Sequence, residues 1–284
     1  MSWQHLLVAQ REGVCEITLN RPEKLNALGL GRESNRTELV AAMAAADADS
    51  EVGCILLRAN GKAFCAGGDL SGAVRTETPF DEHMFNAELV AFYAAMGAIQ
   101  KPVLASVHGL CLGAGMGLAA QCDIVIAADD ARFGLIEGRI GHPGATEIVP
   151  LVGAAWAKFL ILTGEIIDAG CAQRIGLVLS VLPRAELEAR AFELARRIAA
   201  MPREAAVLNK AGINAMTEAM GKTAGRIAGR AYDTLTKSMS HCAQAPDGRR
   251  FEDILRDGGM AALKRARDAQ YLGNWLPSTP PPEE

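Results

Sequence analysis

The sequence predicts an α/β core followed by an all-helical C-terminal region. Three observations carry this. Strand-like and helix-like segments alternate from residue 5 to about residue 183. After Pro183 the pattern turns helical, with almost no strand signal. Half of the 284 residues are hydrophobic, enough for one large core or a core with a smaller appendage. The division places the core in residues 1–200 and the helical region in 201–284. The closing PSTPPPEE is Pro-rich and acidic and reads as disordered.

The elements follow in order. Residues 5–10 and 13–19 alternate around Glu12-Gly13, the pattern of a β-hairpin. Residues 33–48 are Ala-rich, with Leu39, Val40 and Met43 at helical spacing. CILLR (54–58) is a short buried strand. Residues 80–99 carry Phe80, Met84, Phe85, Leu89, Phe92 and Met96 on one side of a helix, which ends before Lys101-Pro102 because the residue ahead of a proline avoids helical geometry. A strand over 103–107, a glycine-rich turn, a helix over about 113–120 and a strand over 123–127 come next. Residues 146–162 and 168–174 read as helices and 177–182 as a strand. Four further helices are predicted over 184–200, 203–219, 221–244 and 252–268.

Composition excludes several classes. With a net charge of −4, nothing points to nucleic acid or an anionic membrane. Pro102 to Cys122 contains no charged side chain and is long enough to span a bilayer. Four glycines, His108 and Gln121 interrupt it, so a buried strand, loop and helix fit better. The seven cysteines are odd in number and show no CxxC spacing, which argues against zinc or a disulfide framework. Most lie in apolar runs, where a free cysteine packs as a small hydrophobe, and a reducing cytoplasm is expected. The N-terminal MSWQHLLVAQREG lacks a basic n-region and a long apolar h-region, so no signal peptide is expected.

Four segments hold residues suited to chemistry. GKAFCAGGDL (61–70) follows a strand, and its paired glycines allow a backbone N–H to approach a ligand. Taken alone, the segment reads better as an ordinary tight turn with Asp69 as a helix cap. GLCLGAGMG (109–117) also follows a strand and leads into a helix, whose first N–H groups are unpaired and partly positive. A developing oxyanion is stabilised at such a place, although close helix packing also demands small residues. The run is not a dinucleotide fingerprint, since GxGxxG would need glycine at Leu118. FGLIEGRIGHPG (133–144) places Glu137 in an apolar, glycine-rich stretch. Burial there would raise its pKa and suit it to proton transfer; a surface pair with Arg139 is the alternative. NRPEKLNAL (20–28) is a turn with two cations near exposed backbone, or else a solvated loop.

In this order, the four segments resemble the crotonase, or enoyl-CoA hydratase/isomerase, superfamily. LTGEIIDAGCAQRIGLV (162–178) adds to the likeness. The resemblance runs from about residue 5 to residue 183 and continues more loosely beyond. It implies a spiral of ββα units and a helical C-terminal region that builds homotrimers or hexamers. It implies a coenzyme A thioester as substrate, with CoA as part of that substrate, and no permanently bound cofactor or metal. Gly68 and Ala114 would supply oxyanion N–H groups. Lys24, Leu25 and Ala27 would contact CoA, while Ala66, Gly113, Asp69, Leu70 and Ser71 would line the substrate site. Lys264 and Tyr271 would reach a neighbouring subunit's CoA.

The departures shape the expected reaction. Hydratases of this family use two glutamates. The first falls on Gly117 and the second on Glu137. The proline usual before the second is Ile136, and GRIGHPGATE puts Arg139 and His142, as auxiliary candidates, in unusual places. One carboxylate suffices to move a proton between carbons, so the expectation leans to enoyl-CoA double-bond isomerisation. Hydration is the alternative, with an ordered water or Glu82, His83 or Glu88 replacing the missing acid. Thioester or C–C hydrolysis assisted by His142 ranks third. A non-catalytic acyl-CoA-binding protein is the reading from a different class.

Overall fold

The computed structural model describes residues 3–31, 34–70, 78–271, 273 and 275–278. The chain starts with the expected hairpin, β1 (Leu6–Arg11) and β2 (Val14–Leu19), paired antiparallel through Leu6↔Leu19 and Arg11↔Val14. Helix α1 (Asn35–Ala48) follows Ser34, which forms a reciprocal capping box with Thr37. Then β3 (Cys54–Ala59) runs into a short β4 (Ala63–Cys65), followed by α2 (Pro79–Gly97). Thr78 caps α2 by accepting from the Asp81 N–H.

The strand–strand–helix unit repeats. β5 (Val103–Val107) and β6 (Leu110–Leu112) precede α3 (Ala114–Ala119). β7 (Ile124–Ala128) and β8 (Arg132–Gly134) precede α4 (Val149–Thr163). In the units from β3 onward the first strand joins a six-stranded sheet ordered β1-β2-β3-β5-β7-β10, which also holds both hairpin strands. The second joins a four-stranded sheet ordered β4-β6-β8-β9. Here β9 is Ile166–Asp168 and β10 is Ser180–Leu182, separated by α5 (Ala169–Arg174). From β2 onward the larger sheet is parallel. The expected ββα spiral is therefore present.

The main core fills the space under the larger sheet and includes Ile17, Leu39, Met43, Ile55, Phe64, Met116 and Phe133. The opposite face is covered by α6 (Leu187–Ala199) through Leu187, Ala191 and Ala195. With both faces covered, the central strands read as continuous apolar runs. Cys15, Cys54, Cys65, Cys111, Cys122 and Cys171 are buried among these side chains, as expected of small hydrophobes. The uncharged stretch 102–122 resolves into β5, β6 and α3.

The short strands of the second sheet are what the sequence pattern did not reveal. Residues 110–112 were expected to belong to a turn, yet β6 pairs with both β4 and β8. Three residues are too few to establish an alternation. The predicted strand over 177–182 shrinks to its last three residues.

Helices α7 (Arg203–Ala219), α8 (Lys222–Ser238) and α9 (Phe251–Asp268) form the C-terminal region. α9 bends at Gly259, which has φ 65°. A separate small cluster joins α9 to the body: Phe251, Ile254 and Leu263 pack with Ile140 and Leu70. Of the tail read as disordered, residues 279–284 lie outside the described residues.

Candidate active site

Both glycine-rich turns stand at the ends of strands in the smaller sheet. The first leaves β4. Gly67 has φ 113°, a conformation that favours glycine. Leu28 pairs with Gly68, but the bonds run from Leu28 N–H to Gly67 O and from Asp69 N–H to Leu28 O, each 2.8 Å. The Gly68 N–H is left out of that ladder. The second turn leaves β6. Gly113, with φ 53° and ψ −121°, directs the chain into α3 and makes Ala114 its first residue. The Ala114 N–H thus has no partner one turn back.

One close contact brings the turns together. A Cβ at Gly115 would lie 2.2 Å from the Cys65 carbonyl oxygen. Only glycine lets α3 approach β4 this closely.

Glu137 closes the site. It opens a 3-10 turn over Glu137–Ile140, after β8. Its carboxyl lies where a Cβ at Gly113 would be, with Oε1 1.8 Å from that position. Burial is the largest influence on it and raises its pKa to about 7; its own N–H, the charge of Arg267 and the Ala114 N–H pull in the other direction. Oε2 is buried with no hydrogen-bond partner among the described residues. The surface pairing with Arg139 does not occur. Arg139 binds Asp268 at 3.1 Å and stacks on the Tyr271 ring at 3.8 Å. Both partners belong to the end of the same chain.

The turn over 20–28 is tied directly to the first glycine turn. Arg21 donates to the Asp69 carboxylate at 3.1 Å and to Ala27 O at 3.0 Å. Asn26 is fully buried with φ 54°, and its side-chain amide donates to Asn60 O and Ala63 O, each at 2.8 Å. Leu25 is also left-handed, with φ 51°, and its carbonyl accepts from the Ala66 N–H at 3.0 Å. Lys24 is exposed at the tip. Leu70 leaves the turn to pack against the α9 cluster. Ser71 lies outside the described residues.

This chain is matched over residues 9–246 by the family model described as enoyl-CoA hydratase/isomerase. The chain belongs to the enoyl-CoA hydratase/isomerase family. It is 36% identical over 218 residues to a probable enoyl-CoA hydratase, echA8, of Mycobacterium tuberculosis, covering 75% of this chain and 82% of the relative. It is 35% identical over 198 residues to the 2,3-dehydroadipyl-CoA hydratase of Escherichia coli, covering 68% and 75%. A crystal structure of an enoyl-CoA hydratase/isomerase from Xanthobacter autotrophicus Py2 superposes with a TM-score of 0.87 at 31% identity, covering 96% of this chain and all of that one.

Within this family member, the groups suggested as replacements for the missing acid have other neighbours, and the charge of Glu88 acts on Arg36. His83 Nδ1 and the Asn86 amide both meet the Thr234 hydroxyl of α8. Glu82 lies in the field of Lys237, also on α8. His142 is held by Lys237, with Nε2 3.2 Å from Nζ. Burial, and then that amine, push its pKa down to about 3. A neutral imidazole with its ring nitrogen engaged is not a ready base.

The group facing Gly117 is Tyr93. A Cβ at Gly117 would lie 3.1 Å from its hydroxyl and 3.2 Å from two ring carbons. The hydroxyl donates to Ala114 O at 3.2 Å. Arg21, Asn26 and Tyr93 were not singled out in the sequence. Asn26 and Arg21 sit in the recognised NRPEKLNAL segment, so a signal existed. Tyr93 looked like one more apolar residue of its helix.

Proposed function

We propose that this chain shifts the double bond of an enoyl-CoA thioester, with Glu137 carrying the proton between carbons. The thioester oxygen would sit between the N–H groups of Gly68 and Ala114. Two such donors stabilise an enolate, and losing one typically raises the barrier by about 3 kcal/mol. Glu137 would remove a proton from C2 of a 3-enoyl thioester and return it to C4, leaving the double bond between C2 and C3. No water is added.

The observation that carries this reading is the Glu137 carboxyl itself. A pKa of about 7 matches an acid–base shuttle near neutral pH. The Ala114 N–H, which lowers that pKa in the free protein, would turn to the thioester oxygen when substrate binds. Glu137 then becomes a stronger base as the enolate acquires its donor.

A second reading, hydration, has its own support: the relatives named above are hydratases by name. Here Glu137 alone would activate the water.

Lys24, Leu25 and Ala27 are proposed to contact CoA, and Ala66, Gly113, Asp69 and Leu70 to line the substrate site. No resident cofactor is proposed, and a cytoplasmic location suits a CoA thioester substrate. Self-assembly as a trimer, or two stacked trimers, is proposed on the exposed apolar side chains of α7 and α8, among them Ile213, Met216, Ile227 and Leu235. Light scattering that finds a monomer ends that proposal.

The test is a pair of assays. A 3-enoyl-CoA should yield the 2-enoyl isomer, and Glu137→Gln should abolish most of the turnover. A 2-enoyl-CoA that takes up water as fast as the 3-enoyl compound isomerises would establish hydration instead.

A further inference from the structure

Gly117 and Tyr93 are 24 positions apart and complementary in shape. Gly117 is buried in α3 with no side chain, and its N–H donates to Gly113 O at 3.0 Å, as in a regular helix. Tyr93 projects from α2 into the space that glycine leaves. Two contacts aim it. The ring meets Phe92 edge-on, with centroids 5.0 Å apart, and the hydroxyl is tied to Ala114 O. Ala114 is also the residue whose N–H faces Glu137.

We propose that Tyr93 is a specificity-determining residue: by filling the volume beside Gly117, it keeps a water molecule away from the carbon chain and favours proton transfer over water addition.

The proposal rests on the isomerase reading and deepens it. Hydration of a 2-enoyl thioester forms a C–O bond at C3 and a C–H bond at C2, so it needs a water held beside the alkene. Isomerisation breaks a C–H bond at C2 and forms one at C4, so it needs only a carrier for the proton. A cavity beside Glu137 would hold a water if it were roomy and polar. The buried carboxyl and the Ala114 carbonyl supply the polarity, and Tyr93 takes up the room. Excluding water from a closed site suppresses such side reactions. The phenol is also a poor base for water. Burial, and then the charges of Glu147, Cys65 and Glu137, hold its pKa well above the usual tyrosine value, so it stays a neutral donor.

The experiment measures hydration of a 2-enoyl-CoA and isomerisation of a 3-enoyl-CoA in wild type, Tyr93→Phe and Tyr93→Ala, with circular dichroism to confirm folding. Tyr93→Ala should raise the ratio of hydration to isomerisation by roughly tenfold or more, the scale on which a change in pocket packing alters selectivity. Tyr93→Phe keeps the bulk and should leave the ratio within about threefold. A folded Tyr93→Ala whose ratio stays within about threefold of wild type overturns the proposal.

A second measurement covers a poorly folding alanine variant. Gly117→Ala should slow turnover by pushing against the ring, and adding Tyr93→Leu should restore part of it. Strict additivity of the two changes overturns the steric pairing. This cycle is read on whichever reaction wild type performs. A wild type that hydrates and does not isomerise therefore defeats the isomerase reading, while the cycle still decides the pairing of Gly117 with Tyr93.

Discussion

The two glycine turns of the candidate site are held in opposite ways. The turn around Gly67 and Gly68 is held by polar struts. Arg21 binds Asp69, Leu28 exchanges backbone bonds with Gly67 and Asp69, and Ala66 donates to Leu25. The turn from Gly113 to Gly117 is held by contacts that leave no room. Gly113 meets Glu137, Gly115 meets the Cys65 carbonyl, and Gly117 meets Tyr93. A strut can be lost and leave a looser loop. A close contact admits no larger residue unless its neighbour moves, and at Gly115 that neighbour is backbone. The proposed oxyanion site thus has one adaptable side and one rigid side.

The strongest way to break this contrast is Gly115→Ala. Its new methyl would meet a backbone carbonyl at 2.2 Å, so a loss of about 3 kcal/mol or more is expected, read as a lower denaturant midpoint. Activity should fall with it, because α3 carries Ala114.

Glu137→Gln comes next. It should lower kcat by about 100- to 10,000-fold, the usual contribution of general acid–base catalysis, with a much smaller change in KM. The pH profile sharpens this. In wild type, kcat/KM should rise as Glu137 loses its proton through about pH 7, and the variant should lack that limb. Stability runs in the opposite direction. Burial raises this carboxyl from its ordinary 4.5 to about 7, so the folded chain holds the proton more tightly than the unfolded one. Its stabilising contribution is full below about 4.5 and is lost as pH rises through about 7. The Glu137→Gln variant should therefore be less sensitive to pH between those values in denaturation experiments.

On the adaptable side, Arg21→Ala removes the strut to Asp69. A cost of about 1–3 kcal/mol is expected for a charged hydrogen bond that is half-buried, visible mainly as a several-fold rise in KM for the CoA substrate. Gly68→Ala should do least. Its Cβ would meet only Leu30 Cδ2, at 3.7 Å, and the backbone N–H stays in place. Stability within about 0.5 kcal/mol of wild type and near-normal kcat are expected. A Gly68→Ala change as damaging as Gly115→Ala would erase the distinction between the turns.

Local pattern carried a large part of the fold. The hairpin around Glu12-Gly13, the strand over 103–107 and the helices α2, α7 and α9 lie within a few residues of where periodicity, Gly and Pro predict them. The order of four short segments also pointed to the family, to Gly68, Ala114 and Glu137, and to the glycine at 117. These signals are local in the chain, so the sequence alone determined the family and nominated those residues.

Tertiary structure decided the rest. The four-stranded sheet is built from three-residue strands, too short to show an alternation and held by neighbours far away in the chain. The state of Glu137 depended on burial, and nothing in GLIEGRIG separates a buried carboxyl from one paired with Arg139. The fold assigned Arg139 to Asp268 and Tyr271, and His142 to Lys237. Most of all, the sequence showed that Gly117 has no side chain to offer, while only the packing of α2 against α3 showed that Tyr93 occupies the space beside it. Residue identity is local information, whereas the occupant of a gap is settled by which distant element packs over it.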